Sequence, residues 1–146
     1  MINSKETRMS EKPSYKLNIS AGDHKKFKGL SKLIQVDQSK VNLKGMKIGD
    51  VIKGEQIGLV GYELQIMGGC DNSGFPMRKD ISGPMKKKIL IRKGLGYKSK
   101  RKGERRRKTM RGDEIDYDTS LVNLKIIKYG KSKFFEESAE KVEAEE

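Results

Sequence analysis

The residues best suited to chemistry in this chain are phosphate-seeking cations. Between positions 86 and 111 there are 14 Lys or Arg and one acid, Glu104, a balance of +13 in 26 residues. The whole chain also carries +13, so the remainder is neutral. Within that stretch, KSKRKGERRRKTMRG (98–112) holds nine cations in 15 residues. Arg offers a planar fork that grips phosphate oxygens in pairs, and Lys supplies a mobile point charge. A solvated face seldom concentrates charge this way; self-repulsion keeps such a segment open until it meets a polyanion. Six to ten phosphate contacts correspond to a salt slope of roughly −4 to −9. The candidate contacts are Arg92, Lys93, Lys98, Lys100, Arg101, Lys102, Arg105, Arg106, Arg107, Lys108 and Arg111. Tyr97 precedes the run, and Phe75 sits in a glycine-rich turn. Either ring can stack on an unpaired base; core packing is the equal alternative for Phe75. Charge alone does not choose between RNA and DNA, and it also fits a nuclear-localisation-like patch.

Other chemistry is poorly supplied. The sole histidine, His24, lies beside Asp23 among lysines, where a general base would lack a partner and a pocket. The sole cysteine, Cys70 in GGCDNSG, has no histidine near it in sequence, so it reads as a structural or incidental thiol. One cysteine also excludes an intramolecular disulfide framework and a cysteine-rich zinc site. The acids Asp71, Asp113, Glu114, Asp116 and Asp118 lack calcium-loop spacing. They flank the basic run and are expected to restrain where it folds back. Gly94 and Gly96 are not followed by a phosphate-loop ending. No catalytic site, metal, cofactor, small-molecule substrate or membrane partner is expected.

A length of 146 residues fits one ordinary domain. Charged residues reach 36% and apolar residues only 34%, against about 25% charged in an average domain, so the core is small. No stretch approaches the roughly 20 apolar residues of a membrane span, and the first residues lack a signal-peptide apolar run. A soluble, intracellular protein is expected. Residues 1–13 are polar and predicted to form a disordered arm, 14–132 form the domain, and 133–146 form an acidic tail. The last 13 residues hold six glutamates and one lysine.

Alternation predicts strands at 15–20, 32–36, 62–67, 88–92 and 121–128. Ile48, Val51 and Ile52 stand at helical spacing and predict a short helix over 48–56, which Gly49 and Gly54 weaken. A long turn is expected after Gly68. The basic run lacks apolar periodicity and contains Gly103, so it reads as a long loop or ribbon, and Ile115 marks a further short strand. The fold class is mainly β: a small twisted β-barrel-like domain with a short helix and a long basic loop.

GGCDNSGFPM (68–77) and KGERRRKTMRG (102–112) together resemble the sixth small-subunit ribosomal protein of archaea and eukaryotes, a family unrelated to the bacterial protein of the same number. KLNIS (16–20), KLIQVD (32–37), KKILIRKGLGY (87–97) and SLVNLKIIKYG (120–130) follow in the same order, so the resemblance covers about 15–130. It implies a mainly β, barrel-like domain that binds small-subunit ribosomal RNA beside neighbouring ribosomal proteins, in the cytoplasm and on the ribosome. The carried-over contacts are Gly74, Phe75, Pro76, Met77 and Arg78 together with the basic segment. Gly74 permits a strained turn, and Pro76 fixes its exit. The chain departs from the family in its longer N-terminal arm and in Cys70, where a small polar residue is usual. It also ends in acids rather than the long basic, phosphorylated helix of eukaryotic members, so an archaeal-type short form is indicated. The competing readings are a free nucleic-acid-binding regulator, for which no recognition helix is readable, and an RNA-processing enzyme, for which the acid–base inventory is too thin.

Overall fold

The computed structural model describes residues 14–22, 27, 29–130, 134 and 135. The polar arm at 1–13, His24, and all of the acidic tail except Phe134 and Phe135 lie outside the described residues. Seven strands follow in order: β1 (Ser14–Ser20), β2 (Ser31–Asp37), β3 (Val51–Lys53), β4 (Glu63–Asp71), β5 (Lys86–Ile91), β6 (Arg106–Arg111) and β7 (Thr119–Lys128). Five build one sheet in the order β2-β1-β7-β4-β3, and β5 pairs only with β6. All pairings are antiparallel except β1 with β7. The large sheet curls into a half-barrel, with β2 and β3 as its two edges.

Period-two alternation explains the core. Each strand sends every second residue to one face, and register brings the apolar ones into rows. Ile66, Leu124 and Ile19 are successive partners across β4, β7 and β1, and Ile52, Leu64 and Ile126 form a second row across β3, β4 and β7. Tyr15, Leu17 and Val122 extend this buried face. Val41, Leu43, Leu59, Tyr62, Ile115 and Phe135 join the same core.

Two expectations change. The helix over 48–56 is absent: Val51–Lys53 is a strand with Ile52 buried between two exposed neighbours, followed by a single 3-10 turn over Gly54–Ile57. Pairing with β4 satisfies the backbone of a segment whose glycines make a helix costly. The expected break after Gly68 is also absent, because β4 runs on to Asp71 through a register shift between Ile66 and Gly68. A Cβ on Gly69 would fall 2.1 Å from the Leu121 carbonyl oxygen; glycine lets β4 and β7 approach there. Of the two readings of the basic run the ribbon holds: Arg106–Arg111 is strand β6, paired with β5 and joined to it by a loop at the tip. Phe135, beyond the expected boundary at 132, is buried against Phe27, with Phe134 packed edge-on to it.

Candidate nucleic-acid interface

The ribbon is where the charge stands. Register sets Lys88 opposite Thr109, Ile89 opposite Lys108, Leu90 opposite Arg107 and Ile91 opposite Arg106. Opposite residues share a face. One face therefore carries Lys88, Leu90 and Arg107. The other carries Ile89, Ile91, Arg106, Lys108 and Met110, where Ile81, Ile91 and Met110 form a small separate core with Ile89 and Tyr97 packed against it. A two-stranded ribbon with so little apolar burial is marginal alone, so its root needs an anchor.

The anchor is a buried ion pair. Arg111, at the end of β6, is only 1% exposed, and Asp71, at the end of β4, is 2% exposed. Arg111 Nη1 lies 3.0 Å from Asp71 Oδ2, and Lys86 Nζ lies 2.7 Å from the same oxygen. Asp116 and Asp118 add carboxylates at 3.9 and 3.8 Å from the guanidinium. Burial alone pushes the Asp71 carboxyl up, but hydrogen bonds and charge from Lys86 and Arg111, with the Asn72 backbone N–H, more than offset this and hold it below its ordinary value. Backbone bonds complete the joint: Arg111 N donates to the Pro76 carbonyl, Arg78 N to the Arg111 carbonyl, and Met77 N to the Gly69 carbonyl. The GFPM turn thus clamps the ribbon to the sheet.

The tip of the ribbon is organised by the one acid in the basic run. Glu104 Oε1 accepts from Arg106 Nε at 2.7 Å, and Oε2 from the Arg101 backbone N–H at 3.4 Å. The neighbouring Tyr97 hydroxyl is the main cause that holds the Glu104 carboxyl below its ordinary value, with Arg106 adding to the effect. Desolvation and Glu104 together push the Tyr97 hydroxyl up. Gly96 has φ +78°, and a Cβ there would lie 2.4 Å from Met110 Cε and 2.9 Å from Pro76 Cγ. Glycine therefore seats the tip loop directly on the GFPM turn.

A family model described as ribosomal protein S6e matches residues 15–138. The chain belongs to that family. It is 52% identical over 96 residues to the small ribosomal subunit protein eS6 of Methanocaldococcus jannaschii, covering 66% of this chain and 73% of that one. The protein of the same name from Methanosphaera stadtmanae is 42% identical over 110 residues, 75% of this chain and 85% of that one. The matched region continues past residue 130 and takes in Phe134 and Phe135, in keeping with their place in the S6e core.

The S6e geometry sorts the sequence-predicted residues into three groups. Arg92, Lys93, Lys98, Lys100, Arg101, Lys102, Arg105, Arg106, Arg107 and Lys108 are exposed along the ribbon and its tip. Tyr97 is half-buried with Lys108 Nζ 5.8 Å over its ring. Arg111 and Met77, which the sequence placed among the contacts, are buried: their side chains are withdrawn from the surface and sit in the joint. Gly74 is exposed at the turn with φ +80°, while Phe75 and Pro76 are half-buried, with Lys86 Nζ 5.7 Å over the Phe75 ring. Arg78 is engaged by Asp80 at 2.6 Å. The sequence reading missed Lys87 and Lys88, exposed on β5, although the charge count included them; recognising the run as a paired strand would have placed them beside β6. It also missed Glu104 as an organiser, whose signal was its isolation among cations. Among the described residues no cluster of three or more His, Cys, Asp or Glu is placed to hold a metal ion. No helix among them is long and apolar enough to cross a membrane.

Proposed function

We propose that this S6e protein is a non-catalytic constituent of the small ribosomal subunit, acting in the cytoplasm and binding ribosomal RNA through the β5–β6 ribbon. The observation that carries this reading is the separation of charge: the exposed cations of 86–111 stand on a ribbon anchored at its root, while the rest of the chain balances to zero. The contacts are Arg92, Lys93, Lys98, Lys100, Arg101, Lys102 and Arg105 to Lys108, joined by Lys87 and Lys88. Gly74, Phe75 and Arg78 supply a secondary surface. Neutralising phosphates that converge from separate RNA helices suits a protruding two-faced ribbon better than a flat patch. Ribosomal proteins of the same subunit would cover part of the remaining surface.

Sedimentation of the tagged chain from a cell extract, at low and high magnesium, tests this. Co-migration at one copy with the small subunit, persisting in moderate salt, is the expected result. A form shortened within 94–105 should fold, by its circular dichroism, yet fail to incorporate. Migration at the top of the gradient, with equal affinity for duplex DNA and ribosomal RNA at matched salt, would replace the reading with a free nucleic-acid-binding module.

A further inference from the structure

The tip of the ribbon encloses a cleft of about 350 Å³ lined by Gly96, Tyr97, Lys98, Lys100, Glu104, Arg106 and Lys108. That volume falls at the low end of the ~300–1,000 Å³ range of small-molecule sites. Its chemistry differs from the rest of the ribbon. Elsewhere on the distal ribbon Arg92, Lys93, Lys102, Arg105 and Arg107 are exposed to solvent, as a sequence-indifferent phosphate track needs. Here the cations share a concavity with an aromatic wall and a carboxylate. The carboxylate repels phosphate, so beyond organising the loop Glu104 offers a phosphate track no contact. Nor is Glu104 loosely placed: the Arg106 side chain and the Arg101 backbone N–H hold it in the wall. Tyr97 is steadied from behind by the small core of Ile81, Ile91 and Met110. The Lys108 ammonium stands over its ring; a flexible, exposed lysine yields that place to a base and turns to its phosphate.

We propose that this cleft is a nucleotide pocket, which takes one unstacked nucleotide of the bound RNA with its base against Tyr97 and Glu104 and its phosphate among Lys98, Lys100 and Lys108. The inference rests on the RNA-binding reading above and sharpens it: the ribbon holds one flipped base as well as a phosphate track. A base has a π-face that an aromatic ring recognises whatever its identity, and the lysines supply charge without demanding a fixed geometry.

Two measurements on the full chain test it. The first is an NMR titration of the unmodified protein with adenosine, cytidine, guanosine and uridine 5′-monophosphates, and with ribose 5-phosphate as the base-free probe. The nucleotides should move the Tyr97 ring resonances and the amides of 96–108 together. Ribose 5-phosphate should move the lysine-flanking amides and leave the ring unmoved. Identical shifts from both probes would overturn the pocket. The second compares Tyr97→Phe and Tyr97→Ala for binding to small-subunit ribosomal RNA. Loss of one base–aromatic stack corresponds to about 5- to 150-fold in affinity, expected for the alanine variant with an unchanged salt slope, while the phenylalanine variant keeps most of the affinity. Parental affinity in Tyr97→Ala, with binding still lost on shortening 94–105, would overturn the pocket and leave the phosphate track standing. Failure of the parent chain itself to bind the RNA would overturn both readings.

Discussion

The five-stranded sheet and the β5–β6 ribbon use the same backbone ladder and are stabilised differently. In the sheet, Leu17, Ile19, Leu64, Ile66 and Leu124 are at most 1% exposed and lie in rows across strands. In the ribbon, Ile91 and Met110 are the buried apolar residues of the two strands. The sheet is held by apolar burial along its whole length, the ribbon by its root. There the GFPM turn and the Arg111–Asp71 pair join it to the end of β4. The division has a consequence for function. Charge on the distal ribbon touches no core residue of the sheet, so it is set by its partner rather than by stability. Charge at the root, on Arg111, is structural even though the sequence places it in the same run.

The largest test of this contrast is Arg111→Ala. Removing one partner of a buried ion pair leaves the other charge uncompensated and costs about 3–5 kcal/mol; chemical denaturation should show it, and a loss under about 1 kcal/mol would mean that Lys86 alone suffices as the anchor. Next comes Gly96→Ala, which forces a positive φ on a residue with a Cβ and drives it toward Met110 and Pro76. About 1–2 kcal/mol should be lost, with protection of the tip amides falling before that of the sheet amides in hydrogen exchange.

A smaller, pH-dependent effect belongs to Asp71. Its folded pKa is below the unfolded value of about 3.9, so its stabilisation is present above that pH and is lost as pH falls through the folded value. Denaturation midpoints should therefore decline below about pH 4, and Asp71→Asn should flatten that part of the decline while lowering stability at neutral pH. The smallest change in stability is expected from Arg107→Ala on the exposed ribbon, within about 0.5 kcal/mol. Its effect should appear in RNA binding instead, as a salt slope shallower by about 0.7–0.9. A stability loss as large as that of Arg111→Ala would erase the distinction between distal ribbon and root.

The parts of the fold legible in the sequence were those with strict alternation. Tyr15, Leu17 and Ile19, or Tyr62, Leu64 and Ile66, announce a buried face two residues at a time, and all six are buried. Where apolar residues stood three or four apart by coincidence, as at Ile48, Val51 and Ile52, periodicity suggested a helix and tertiary pairing with β4 made a strand. Strand β6 was hidden for another reason. Its residues RRKTMR carry almost no apolar signal, and they are a strand because β5 lies opposite. In the site, the exposed cations from Arg92 to Lys108 were legible from charge density. Lys87 and Lys88 were passed over because their strand partner was unseen.

From its residue order alone this protein is an alternating β domain in a chain whose excess positive charge stands in one stretch of 26 residues. Local properties determine that much: charge and period are carried by neighbouring residues and need no folded context. Only the tertiary structure decided which cations face a partner and which face the interior. Arg107 and Arg111 are both arginines of one strand, four residues apart. One meets solvent and the other meets Asp71, because β4 ends where the GFPM turn brings β6 back. A buried charge is stable only beside its counter-charge, and the position of that counter-charge is a property of the fold.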